Sequence, residues 1–177
     1  LFSASAHKFN GLKGIAILIK KEKINLSPII NGGESQTVYR AGTPALPLIA
    51  SFAKALRLAI EEQPKAYLKV KEINNYLRDE LSELDSVTIN SKIDSSPYIL
   101  NFSIKGIKPE TMIHKLESYD VYLSTKTACS SKEDYSKSIY ELTKDKEISK
   151  TSLRLSLSKD NTLEEAKEFI KILKDNL

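Results

Sequence analysis

Apolar residues recur at spacings of three and four along two long stretches of the chain. From Ala45 to about Glu62 they are Leu46, Ile49, Phe52, Ala53, Leu56 and Ile60, which predicts a helix with one buried face. Pro64 marks a break or kink, and a second amphipathic helix follows through Tyr67, Val70, Ile73, Leu77 and Leu81. Other segments alternate with a period of two. The opening octet Leu1–Lys8 has the character of a strand end, and Ile15–Ile19 predicts a second strand after the Asn10-Gly11 turn. Ser86–Ile89, Tyr98–Ile104, Val121–Leu123 and Thr151–Leu157 predict further strands, and Pro109–Leu116 a short helix. Thr162-Leu163-Glu164-Glu165 carries the spacing of a capping box and opens a last helix. The order of elements after Pro64 predicts a compact α+β domain with an antiparallel sheet. Two segments stand apart as loops: Ser27–Gly42, punctuated by Gly32-Gly33 and by Ala41-Gly42-Thr43-Pro44, and the polar stretch 125–150, which has only a weak helical hint near Tyr135–Leu142.

Composition narrows the classes available. The chain has 177 residues, with 27 basic against 23 acidic side chains and a net charge of +4. These charges are interspersed, whereas nucleic-acid binding calls for a concentrated basic stripe, so nucleic acid is set aside as a partner. The longest apolar run, Gly14–Ile19, is too short to cross a bilayer, and no membrane association is expected. A lone cysteine cannot form an internal disulfide, which favours a reducing, cytoplasmic setting. The first residues resemble the inside of a strand, so the chain reads as the C-terminal piece of a longer polypeptide.

Arginine usage points to chemistry. Nearly all positive charge is written as lysine, leaving Arg40, Arg57, Arg78 and Arg154. A guanidinium grips a carboxylate or phosphate through two parallel hydrogen bonds, which an ammonium cannot do. Arg57 and Arg78 lie in helical patterns and read as surface residues, whereas Arg40 and Arg154 do not. Near the start, Ser5, His7 and Lys8 sit among small residues ahead of Gly11 and Gly14. Taken singly, Lys8 is an ordinary solvated lysine and His7 a structural histidine. Together they supply the hydroxyl, imidazole and amine that a phosphorylated aldehyde cofactor requires. From composition alone the one cysteine, Cys129, is an inert surface thiol.

Four motifs in order change that reading. Residues 5–14, Ser-Ala-His-Lys-Phe-Asn-Gly-Leu-Lys-Gly, resemble the lysine signature of the class V aminotransferase superfamily. Arg40-Ala41-Gly42-Thr43, Thr127-Ala128-Cys129-Ser130-Ser131 and Ser152–Leu157 then follow in the order expected of its cysteine desulfurases. The long segment after Cys129 resembles the group whose reactive cysteine rides on an extended loop. This resemblance implies an α/β and α+β chain: 1–63 as the C-terminal end of a fold type I large domain with a connecting helix, and 64–177 as a small α+β domain carrying the cysteine loop 125–150. It implies pyridoxal 5'-phosphate as cofactor, held by Lys8 as a Schiff base, with Ser5 and His7 on its phosphate. Thr43 would reach the cofactor phosphate of a neighbouring subunit, which implies a homodimer, and Arg40 would support that region. Arg154 would clamp the carboxylate of L-cysteine. Cys129, as thiolate, would take the sulfur as a persulfide, release alanine and pass sulfur to an acceptor or scaffold protein, as in iron–sulfur cluster assembly. No metal ligand set is expected.

Three positions depart from the family pattern. Leu12 stands where a proline is usual, Glu34 replaces a glycine of the Gly-Gly-Gly loop, and Ser158 replaces a glycine after the arginine strand. The upstream groups that stack on the cofactor ring and pair with its nitrogen lie outside these residues, so the 177 residues alone are expected to be inactive. The competing readings are a selenocysteine lyase, an aminotransferase, or a degenerate relative that serves as a docking domain.

Overall fold

A computed structural model of the chain describes residues 1–33, 37–125 and 134–177. It divides into two units, Leu1–Pro64 and Lys65–Leu177.

The first unit begins with a two-stranded antiparallel ribbon, β1 (Phe2–Ser5) and β2 (Ala16–Ile19), in the register Phe2↔Ile19 to Ser5↔Ala16. The opening strand is shorter than the octet predicts. After Ser5 the chain tightens into a 3-10 turn, Ala6–Phe9, closed by Asn10 in the left-handed region. Small residues make this turn possible. Ala6 is fully buried, and a Cβ added at Gly11 would lie 2.8 Å from the Ala6 Cβ and 3.3 Å from that of Ala55. Phe9 stacks edge-on against Phe52 with centroids 5.2 Å apart, which ties the turn to the first part of α1 (Leu46–Ser82). The predicted apolar face of that part is buried only at Phe52, against which Phe9 packs; Leu46, Ile49, Leu56 and Ile60 stay exposed.

Pro64 does not end the helix, which continues to Ser82. Proline removes one backbone hydrogen bond, but Pro64 is exposed, so the carbonyl it leaves unbonded is open to water. The later part of α1 belongs to the second unit and is held by a well-formed core.

That second unit is a two-layer α+β fold. A three-stranded antiparallel sheet has the order β3 (Val87–Ile89), β4 (Ile99–Ile104), β5 (Ser152–Ser156). Its alternation buries Leu100, Phe102, Ile104, Leu153 and Leu155 against Ile73, Leu77 and Leu81 of α1, Met112 and Leu116 of α2 (Pro109–Glu117) and Phe169, Ile170 and Leu173 of α5 (Leu163–Asp175). Thr162 and Glu165 form the anticipated capping box on α5. Two expectations are corrected here. Val121–Leu123 is not a strand: the Val121 amide closes the end of α2 on the Leu116 carbonyl, and only Ser124 reaches β5. The polar stretch 125–150 contains two short helices, α3 (Lys137–Thr143) and α4 (Lys146–Lys150), the second capped by the Asp145 carboxylate on the Ile148 amide.

Arg78 is more than the surface residue its helical setting suggests. It donates to Asn74 Oδ1 at 2.7 Å and to the carbonyls of Ser91 and Lys92 at 2.8 and 3.0 Å, while Asn74 holds the Pro97 carbonyl at 2.9 Å. Burial lowers its pKa from the ordinary arginine value, yet the three acceptors fix the loop joining β3 to β4. Lysine has no fork with which to reach all three. Arg78→Lys is therefore expected to cost about 2 kcal/mol of unfolding free energy, measured by denaturant titration, with arginine-to-lysine exchange at exposed Arg57 costing far less.

Candidate active site

Two separate groups of candidate residues emerge, one in each unit. In the first, the turn after β1 presents Ser5, His7 and Lys8 together. Ser5 closes the β1–β2 ladder and makes no side-chain cap of the turn. Ala6 points inward, and its amide donates to the Ile15 carbonyl at 3.1 Å, leaving the neighbouring His7 and Lys8 exposed. Among the described residues no side-chain hydrogen bond or ion pair engages Ser5, His7 or Lys8. A hydroxyl, an imidazole and an ammonium are thus unspent within four consecutive positions, which is the donor set of an anion-binding corner beside an amine.

The Leu12 departure has a local use. Its backbone N–H donates to Ser51 Oγ on α1 at 3.4 Å, a bond that proline has no hydrogen to make. Arg40 and Thr43 are exposed on the loop leading to α1, and the Arg40 guanidinium folds over Gly42, where an added Cβ would meet Nη1 at 3.0 Å. Gly42 has φ +121°, a conformation that suits only glycine well. Glu34 lies outside the described residues.

In the second unit Arg154 occupies the middle of β5, on the face opposite the core. Its N–H donates to the Ser124 carbonyl at 2.6 Å and its carbonyl accepts from the Ser124 N–H at 3.1 Å. Because both main-chain groups of Arg154 point to Ser124, its pairing with Asn101 across β4 is of the non-hydrogen-bonded kind. In such pairs the side chains stand closest, with Cα atoms about 4.5 Å apart. Asn101 Oδ1 accepts from Asn90 Nδ2 at 2.7 Å, so a polar row runs Asn90, Asn101, Arg154, Ser124 across the sheet. Arg154 Nη2 lies 3.4 Å from Ser124 Oγ, while its buried Nε has no partner among the described residues. An arginine with an uncommitted buried N–H is chemically suited to a planar anion. Ser124, which this row depends on, carries no sequence signal beyond its nearness to Cys129.

Cys129 falls among residues 126–133, outside the described residues. Both flanks of that segment are tied to the region around β5. Ser124 is bound to Arg154 as above; on the other side the Ser136 amide donates to the Ser149 carbonyl at 2.9 Å and Lys150 Nζ meets Asp134 Oδ2 at 3.2 Å. Ser158, the third departure, forms the turn before α5: its amide donates to Asn161 Oδ1 at 2.8 Å and its hydroxyl accepts from the Asp160 amide. An open groove of about 430 Å³, lined by Ile73, Leu77, Leu155 and Phe169, contains none of the candidate residues. Among the described residues no cluster fits a metal ion, and no helix is long and apolar enough to cross a membrane.

Comparison with known proteins decides the family. The model of the aminotransferase class-V family matches residues 1–169. The chain belongs to this family. It is therefore one of a family of pyridoxal-phosphate-dependent enzymes. A NifS/IcsS protein homolog from Lactobacillus delbrueckii subsp. bulgaricus is 38% identical over 173 residues, covering 96% of this chain and 45% of the relative. The cysteine desulfurase IscS of Clostridium botulinum is 33% identical over 178 residues, covering 98% of this chain and again 45% of the relative. A solved NifS-like protein superposes with a TM-score of 0.81 at 30% identity, covering 98% of this chain and 44% of that one. The mixed α/β fold with small antiparallel sheets is thus that of the NifS-like class V enzymes. The chain spans about half the length of the curated relatives that it matches.

The Asp134 carboxyl is held below its ordinary range, first by the hydrogen bond from Lys150. A carboxyl with a lowered folded-state pKa stabilises the tie above the unfolded pKa and loses it as pH falls through the folded value. In an NMR titration Asp134 should therefore titrate below free aspartate, and Lys150→Met should return it to the ordinary range.

Proposed function

We propose that this chain is part of a pyridoxal-phosphate-dependent cysteine desulfurase, a homodimer that converts L-cysteine to L-alanine and passes the sulfur to an acceptor or scaffold protein in the cytoplasm, in a pathway such as iron–sulfur cluster assembly. Residues 1–63 then complete the large cofactor domain and 64–177 form the small domain. Family membership and the named relatives support this reading. The observation that carries it is Arg154, whose buried Nε has no partner among the described residues and whose main chain is bound to Ser124, five positions before Cys129 in sequence.

Lys8 is the residue proposed to hold the cofactor, with Ser5 and His7 donating to its phosphate; the unspent donors on the turn after β1 fit a phosphate beside an aldehyde. Thr43 serves the cofactor phosphate of the partner subunit, and Arg40 orders the loop beside it. When bound, pyridoxal phosphate supplies the electron-withdrawing ring that lets bonds to the substrate Cα and Cβ break. The chain's own residues do the rest. Arg154 grips the L-cysteine carboxylate with its fork, which fixes the orientation of the amino acid. Lys8, once freed, moves the α-proton. Cys129 attacks as thiolate on the substrate sulfur. A sulfur–sulfur bond forms while the substrate carbon–sulfur bond breaks, its electron pair stays with carbon, and that carbon takes a proton. The products are alanine and a Cys129 persulfide, with no outside oxidant.

Alanine release from L-cysteine by the complete gene product tests the reading. Cys129→Ala is expected to lower it by at least about a hundredfold while leaving the bound-cofactor absorbance intact. Lys8→Ala should abolish the Schiff-base absorbance and the activity together. Unchanged alanine release by Cys129→Ala would overturn the desulfurase assignment.

A further inference from the structure

Arg154 is fastened at the edge of β5 by a single residue pairing, with Ser124. Ser124 exchanges both main-chain hydrogen bonds with Arg154, at 2.6 and 3.1 Å, and its hydroxyl oxygen sits 3.4 Å from Arg154 Nη2. These are three links between one residue pair, thirty positions apart in sequence. The pair is an isolated bridge: neighbouring Val121–Leu123 adds no strand pairing to it, so among the described residues Ser124 alone pairs with this edge of β5. On its other side Arg154 faces Asn101, whose Oδ1 is engaged by Asn90. Among the described residues Ser124 Oγ is thus the one side-chain atom within hydrogen-bond reach of the guanidinium.

We infer that Ser124 is a positioning residue for the substrate carboxylate, acting through Arg154. This rests on the proposed role of Arg154. The hydroxyl accepts from Nη2, which restricts rotation of the guanidinium, so less side-chain entropy remains to be lost when a carboxylate binds. The main-chain bridge fixes where the arm of Arg154 leaves the sheet. At 3.4 Å the hydroxyl bond is long, and its loss has a modest effect.

The test uses the complete gene product and follows equilibrium binding by the change in absorbance of the bound cofactor. L-alanine carries the carboxylate without a thiol, and ethylamine is the same amine without the carboxylate. Ser124→Ala is expected to weaken L-alanine binding about threefold and to leave ethylamine unchanged. Ser124→Thr keeps the hydroxyl and should restore parental affinity. Arg154→Ala should weaken L-alanine at least tenfold, with Ser124→Ala adding nothing in that background. Weakening by Arg154→Ala with no effect of Ser124→Ala would overturn this inference and leave the Arg154 assignment standing. No effect of Arg154→Ala would overturn the Arg154 assignment itself. Equal weakening of L-alanine and ethylamine by Ser124→Ala would mark a purely structural residue and also overturn the inference.

Discussion

The two-residue period shared by β4 and β5 is the constraint on which the second unit depends. It buries Leu100, Phe102, Leu153 and Leu155, and by the same geometry it sends Asn101 and Arg154 to the opposite face. A slip of one residue would exchange these sets, pushing a guanidinium into the apolar layer and leucines into water. The core thus fixes the site: the free energy of packing the leucines holds Arg154 where an anion can reach it.

A different device operates in the first unit. There the chemistry sits on a tight turn, and the turn exists because nothing larger than a methyl group lies between Ala6, Gly11 and Ala55. The ribbon behind it is slight, and Phe2, Leu18 and Ile19 are exposed along with much of the apolar stripe of α1. One unit positions its candidate side chain by sheet register and the other by close approach of backbone.

Much of this was legible in the sequence where a pattern has a single physical meaning. The alternation in 99–104 and 151–157 gave the core strands, and the spacing of Thr162 and Glu165 gave the α5 cap. Arginine scarcity marked Arg154 before any family was considered, although the same argument missed Arg78, whose carbonyl partners come from a loop that helical periodicity cannot reveal. Pro64 marks no helix end, because a proline on the solvent side of a helix with a firm downstream core is tolerated. The helix at 137–143 left only the weak hint near Tyr135–Leu142, and that at 146–150 left none, because each buries only one residue, Ile139 and Ser149. Ser124 was invisible for a related reason: its importance comes from its partner thirty positions away. The motif order Lys8, Arg40, Cys129, Arg154 identified the family; no periodicity could have done so.

The contacts that fasten Ser124, Asp134 and Ser136 differ in physical kind. Main-chain bonds tie Ser124 to Arg154 and Ser136 to Ser149, whereas Asp134 meets Lys150 through opposite charges on partly exposed side chains. Dissolved ions screen an exposed charge pair and leave main-chain bonds nearly untouched. Raised ionic strength therefore loosens Asp134 from Lys150 while the other two ties persist, so salt acts on one of these three fastenings alone.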